Sequence, residues 1–249
     1  MRRMVLFLSM ISQTAGYGWT LITSLDVGWE SRVLTFHVNP TDCQMPPEKF
    51  MALVDRALAT WNAVPRVHVQ LNRDPNPSKV GVTEFLAGQA SQAPVILCDA
   101  QMGAHQKVDI RYIPALTRVS SSGDYLDYGG IVLNAEKDAP ASIGRLSQAQ
   151  VLITLAHELG HVLGLGHSGQ QEALMYFSIQ NKREPALSAD DVQGVQYLYP
   201  ANEILSHPFG CGAVHDSQRE AQGWWAMCIF ILLIVGLGRR WMAKLARPL

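Results

Sequence analysis

Between residues 157 and 167 the chain reads HELGHVLGLGH, three histidines and one glutamate within eleven positions. A neutral imidazole is a common metal ligand. Residues four apart on a helix share a face, so His157 and His161 can bind one ion. Glu158 is displaced around the same helix, where its carboxylate can reach a water beside that ion. Gly164 tolerates backbone angles that other residues avoid, and a sharp turn there brings His167 back as a third ligand. Three protein ligands leave the fourth position of a zinc ion open, which marks a catalytic site rather than a structural one. The matching chemistry is hydrolysis, with a polarised carbonyl, a water and Glu158 as general base. A bare His-Glu-x-x-His can also be a polar strip on an ordinary amphipathic helix. The added Gly164 and His167 argue against that reading.

These residues need rigid elements. Ser147 and Gln150 fit a capping box that opens a helix. Val151, Leu152, Leu155, Leu159, Val162 and Leu163 follow at helical spacing, so one broad face is core. Gly164 is its C-terminal stop. A second helix is predicted from Pro47 to about Asn62, with Phe50, Leu53, Val54, Ala57, Leu58 and Trp61 on its apolar face. A third runs from about Ala189 to Tyr199, capped by Ser188 and Asp191. Strands are predicted over residues 32–38, 67–71, 80–85, 95–98, 108–113, 116–121 and 130–133, with a Pro-rich loop over 72–78.

The stretch HELGHVLGLGHS resembles the zinc signature of the metzincin metallopeptidases, and Ser168 after the third histidine resembles their matrixin branch. Ala173-Leu174-Met175-Tyr176 is similar to that branch's Met-turn. LSADDVQGVQYLYP, residues 187–200, resembles its closing helix. The resemblance covers residues 30–200. It implies an α+β, zincin-like fold with a twisted mixed sheet, an active-site helix, a Met-turn and a C-terminal helix. It implies one catalytic zinc on His157, His161 and His167, Glu158 as general base, and Met175 as the floor under the metal. It also implies a protein or peptide substrate held in extended form along an edge strand near residues 115–121. Phe177 and Ile179 would wall the pocket for the side chain after the cut bond. Some features depart from the family. The histidine and aspartate pattern that holds a structural zinc in the animal enzymes has no match, and His105 and Asp109 stand too isolated to assign. Phe177 occupies the place where some metzincins put a tyrosine ligand. His37, His68, His207 and His215 read as surface or packing residues. Asp124 and Asp127 are either a solvated turn or calcium ligands without a clear calcium motif. The rival reading is a non-catalytic, zinc-stabilised binding or attachment protein of the cell envelope. Glu158 argues against it, because metal binding alone does not need that carboxylate.

The rest of the chain bears on location. Formal net charge is -1, and no basic block precedes the C-terminus, which argues against nucleic acid as a partner. Residues 1–18 read as a signal peptide: Arg2 and Arg3, a short apolar run, then small residues. The catalytic domain is expected over 19–200 and a linker over 201–223. Residues 224–238 form a short apolar span. At about 1.5 Å per helical residue it covers about 22 Å, short of the roughly 30 Å hydrocarbon core. Arg239, Arg240, Lys244 and Arg247 then mark residues 239–249 as a basic cytoplasmic tail. This end resembles bacterial C-terminal sorting signals read by a membrane protease, with Phe209-Gly210-Cys211-Gly212 as the motif. The alternative is a permanent membrane anchor. Both place the catalytic domain outside the cytoplasm. Cys228 sits in the apolar span. Cys43 and Cys98 remain as candidates for one disulfide of an exported domain. Cys43 is not read as a latency cysteine, since elements of the catalytic domain already surround it.

Overall fold

A computed structural model describes residues 18–23, 28–91 and 93–201. Of the expected leader over 1–18, residues 1–17 lie outside the described residues, as do the linker beyond Ala201, the apolar span and the basic tail. Gly18, counted above with the leader, packs into the domain through Asp190.

Among the described residues, five strands and five helices follow the order β1 (Val33–Val38), α1 (Pro47–Asn62), β2 (Gln70–Arg73), α2 (Val82–Leu86), β3 (Val95–Asp99), α3 (Met102–Gln106), β4 (Ala115–Ser122), β5 (Tyr125–Asn134), α4 (Gln148–Val162) and α5 (Ala189–Leu198). The sheet order is β2-β1-β3-β5-β4. Four strands run parallel, and β4 pairs antiparallel with β5 at one edge. This is the mixed sheet and α+β zincin-like arrangement that the family resemblance implies.

Strand side chains alternate between faces, and here the alternation divides two cores. Ile96, Cys98, Ile131 and Leu133 face α1 and α4 in the main core. Val95, Leu97 and Val132 face the other way and are covered by Val80 and Phe85. Helix α1 buries the six apolar residues its spacing predicts. Cys43, in the loop after β1, is disulfide-bonded to Cys98 of β3.

Two predicted strands are corrected. Residues 80–85 have β-branched and aromatic residues, yet Gly81 opens the one-turn helix α2, whose Phe85 plugs the second face of the sheet. Phe85 stacks on Tyr128 with ring centroids 5.5 Å apart. One apolar anchor suffices there, and tertiary packing overrides propensity. Residues 108–113 form turns rather than a strand: the backbone N–H of Tyr112 bonds the carbonyl of Asp109, and Asp109 pairs with Arg111 in the same segment. Strand β2 starts at Gln70, since Val67 forms only an isolated bridge with Pro200. It extends into the residues expected as a loop. Strand β5 begins at Tyr125, five residues before its predicted start, because the hairpin with β4 extends to Ser122 and Tyr125.

Candidate active site

Helix α4 holds the site because both of its ends are satisfied. At the start, Ser147 Oγ accepts from the Gln150 backbone N–H, and the Gln150 side chain accepts from Ser147 N–H at 2.9 Å. The last four carbonyls of a helix lack intrahelical partners, and here each finds one. Gly160 O accepts from Leu165 N–H and His161 O from Gly164 N–H. Val162 O accepts from the Trp29 indole at 2.7 Å, and Leu163 O from the Tyr199 hydroxyl at 2.7 Å. Every residue from Val151 to Val162 is buried, so the helix cannot shift without disturbing the core.

Gly164 turns the chain with φ of 105°, in the range that favours glycine. His157, His161 and His167 then converge, with ligand nitrogens within 4.8 Å of one another. Among the described residues this is the one cluster of three or more His, Cys, Asp or Glu suited to an ion. His157 Nδ1 lies 2.7 Å from Leu174 O, and His161 Nδ1 lies 2.7 Å from Leu165 O. A carbonyl only accepts, so Nδ1 carries the proton in both rings. The bare Nε2 lone pairs are left for a metal, the arrangement typical of ligating histidine. Burial, with the neighbouring histidines, pushes the His157 imidazole down to about 3 and keeps it neutral. Burial also lowers His161 and His167. Neutral nitrogen donors in a three-residue set suit zinc. Asp124 lies in the β4–β5 turn and Asp127 in β5, where it accepts from Ser120 Oγ of β4 at 3.3 Å. His105 pairs with Asp99 and His37 with Asp74, both away from the triad.

The floor is made by the Met-turn. Met175 is 1% exposed. It packs beneath Gly160, where a Cβ would collide with Met175 Sδ and come within 2.8 Å of the Trp61 ring. The turn is held by Asp191 of α5. Its carboxylate accepts from the backbone N–H of Leu174 at 2.8 Å and of Met175 at 2.9 Å, and from Ser188 N–H at 2.7 Å. Asp191 therefore caps its own helix and fixes the turn whose Leu174 carbonyl orients His157. The preceding Asp190 accepts from Ser168 Oγ at 2.6 Å and from the backbone of Gly18 and Trp19. Residues 18–22 thereby run along the loop that carries His167, with Thr20 Oγ1 donating to His167 O at 2.7 Å.

A cleft of about 640 Å³ exposes the triad. Edge strand β4 lines one side through Ala115, Leu116 and Thr117, residues 20–22 line another, and Phe177 and Ile179 stand opposite. Glu158 opens onto this cleft, and burial pushes its carboxyl up to about 7. Thr117 Oγ1 donates to Glu158 Oε2 at 2.6 Å and lies 3.1 Å from Glu158 O.

The matrixin family model matches residues 28–200. The chain belongs to the matrixin family. Metalloendoproteinase 5-MMP of Arabidopsis thaliana is 31% identical over 132 residues, 43% of this chain and 35% of that protein. Metalloendoproteinase 2-MMP of the same plant is 44% identical over 68 residues, 27% of this chain and 18% of that protein. Human matrix metalloproteinase-19 is 27% identical over 172 residues, 69% of this chain and 30% of that protein. This matrixin thus spans about a third or less of the length of these relatives. Matrixins use a catalytic zinc, and the donor set here fits that ion.

The structure brings together His157, Glu158, His161, His167 and Met175 as the motif implies, with Phe177 and Ile179 beside them. Sequence reasoning missed Thr117 and the second task of Asp191. A hydroxyl midway along the expected rim strand was the available signal for Thr117. Nothing local links Asp191 to residues 174 and 175.

Proposed function

We propose that this matrixin is an exported, zinc-dependent endopeptidase that hydrolyses peptide bonds with Glu158 as general base. One observation carries the reading: three histidines whose ring nitrogens converge share a cleft with a buried carboxylate and an edge strand. A zinc ion held there supplies Lewis acidity to a water and to the scissile carbonyl. Glu158 takes a proton from the attacking water and returns it to the leaving amine. Thr117 orients the Glu158 carboxylate. The free edge of β4 offers backbone groups to an extended substrate, which gives affinity with little demand on sequence. Phe177 and Ile179 select the side chain that follows the cut bond, so substituting them changes cleavage preference. The Cys43–Cys98 disulfide supports an oxidising destination, in keeping with a leader over residues 1–18. Residues 224–249 either anchor the protein in the membrane or are removed as a sorting signal.

The deciding experiment is cleavage of a mixed peptide library by the full chain. Cleavage is expected to stop on chelation and return with zinc. Glu158→Gln is expected to keep about one zinc per chain and the parental melting temperature while losing activity by orders of magnitude. A Glu158→Gln variant as active as the parent refutes the mechanism. Mass spectrometry of native protein decides the fate of the tail: an intact Leu249 leaves only the anchor.

A further inference from the structure

Residues 108–114, between α3 and β4, form turns, yet Tyr112, Ile113 and Pro114 line the catalytic cleft. Connecting segments are the mobile parts of a fold unless something ties them down. Among the described residues, three hydrogen bonds tie this segment to the sheet, and all of them come from Asn134 at the end of β5. Its Nδ2 donates to Ile113 O at 3.0 Å and to Ile110 O at 3.2 Å, and its backbone N–H donates to Pro114 O at 2.8 Å. Its Oδ1 accepts from Glu136 N–H at 3.0 Å. Asn134 is 0% exposed. A carbonyl only accepts, so the amide is fixed with its nitrogen toward the segment. The carbonyls of residues 110 and 113 are thus drawn inward, while Tyr112 between them stands 72% exposed on the cleft rim. Its ring is backed by the Arg111 guanidinium, 5.3 Å from the centroid, and Asp109 holds Arg111 at 2.6 Å. An aromatic side chain offers a large contact area at low cost in side-chain entropy, and this one is presented in place.

We infer that Asn134 is a positioning residue for substrate binding, whose buried amide holds residues 110–114 so that Tyr112 packs against an extended peptide in the cleft. The inference rests on the endopeptidase reading and adds a contact to the same site. Strand β4 begins directly after this segment, and its first residue, Ala115, pairs with Leu133, the neighbour of Asn134. A peptide lying along the β4 edge therefore meets Tyr112 where the strand begins. Asn134 hydrogen-bonds neither the three histidines nor Glu158, so its effect belongs to binding and not to the chemical step. Order at the rim before binding spares the peptide the cost of creating it. Aspartate at position 134 keeps the acceptor for Glu136 N–H. Its second oxygen faces two carbonyl oxygens, which removes both donated bonds and sets like partial charges together.

The test uses the full zinc-loaded chain and one peptide drawn from the library. Tyr112→Ala, at an exposed position, is expected to raise KM about 5-fold or more, the loss of one effective interface contact, and to leave kcat unchanged. Asn134→Asp is expected to raise KM by a similar factor, with parental kcat and zinc content. The double variant is expected to bind no worse than the weaker single variant, because Asn134 acts through Tyr112. Hydrogen exchange is expected to quicken over residues 108–114 in Asn134→Asp and to stay parental in α4. Asn134→Ser removes the same donated bonds without a charge and repeats the measurement if Asn134→Asp does not fold. Parental KM in Tyr112→Ala overturns the inference. So do effects that multiply in the double variant, a loss of kcat or zinc in the folded Asn134 variants, and faster exchange in α4. Peptide binding by the Glu158→Gln chain, with and without each substitution, supplies the same ratios as dissociation constants. Binding that depends on Tyr112 and Asn134, with no turnover by the parent, would refute the peptidase reading and leave the role of Asn134 standing.

Discussion

Gly160 sits inside the metal-binding helix, where a glycine costs about 1 kcal/mol relative to alanine. On helix propensity alone, Gly160→Ala should stabilise the protein by that amount. The structure reverses the sign. The new methyl would overlap Met175 Sδ, approach Met175 Cε to 3.0 Å and lie 2.8 Å from Trp61 Cζ2. Neither neighbour can give way freely. Met175 is 1% and Trp61 3% exposed, and the Trp61 indole is tied to Ala156 O at 2.8 Å. Overpacking of this kind costs about 1–3 kcal/mol, so the net effect is a loss of about 0–2 kcal/mol. At about 2–4 °C per kcal/mol for a domain of this size, melting should fall by a few degrees. The double-mutant cycle with Met175→Ala isolates the cause. Met175→Ala alone opens a cavity and should cost about 2–5 kcal/mol. With Met175 gone, the sulfur overlap disappears and the cavity left behind gives the Trp61 ring room to shift from the new methyl, so Gly160→Ala should become neutral or stabilising. The expected coupling is at least 1 kcal/mol, read by urea denaturation of the four proteins. Additivity within about 0.5 kcal/mol would refute the reasoning, and so would a Gly160→Ala variant more stable than the parent.

Three further outcomes follow from the same geometry. Thr117→Val should lower kcat with little change in KM, because the lost hydroxyl orients Glu158 rather than substrate, and Thr117→Ser should restore kcat; steady-state kinetics on one peptide decide this, and a pure KM effect would remove Thr117 from the mechanism. Asp191→Ala should cost about 3 kcal/mol or more, since it orphans the buried N–H groups of Leu174 and Met175, and zinc affinity should fall with it because the Leu174 carbonyl orients His157; parental zinc affinity in a folded variant would separate turn from ligand. Replacing Cys43 and Cys98 together by alanine should cost about 4 kcal/mol on the loop-entropy relation, the bridge spanning 55 residues; a reductant should then shift the parent's urea midpoint and leave the variant's unchanged.

What the sequence discloses here is what is decided within a few residues. The zinc helix, its Ser147 cap and the α5 cap at Ser188 were legible because capping and helical periodicity are local. So was the triad, since two ligands share a helix face and the third follows one glycine later. Residues 80–85 failed because their β propensity is overruled by a distant demand: Phe85 must cover Val95, Leu97 and Val132 on the far face of the sheet. The tasks of Asp191 and Thr117 were hidden for the same reason, each reaching across 16 to 41 positions of sequence. Gly160 shows how the two levels meet. Locally it is an anomaly, a residue that weakens the helix carrying the chemistry. Only the fold supplies the methionine sulfur and the tryptophan ring that require its missing side chain. A residue that breaks a local rule inside a motif therefore points toward a tertiary neighbour.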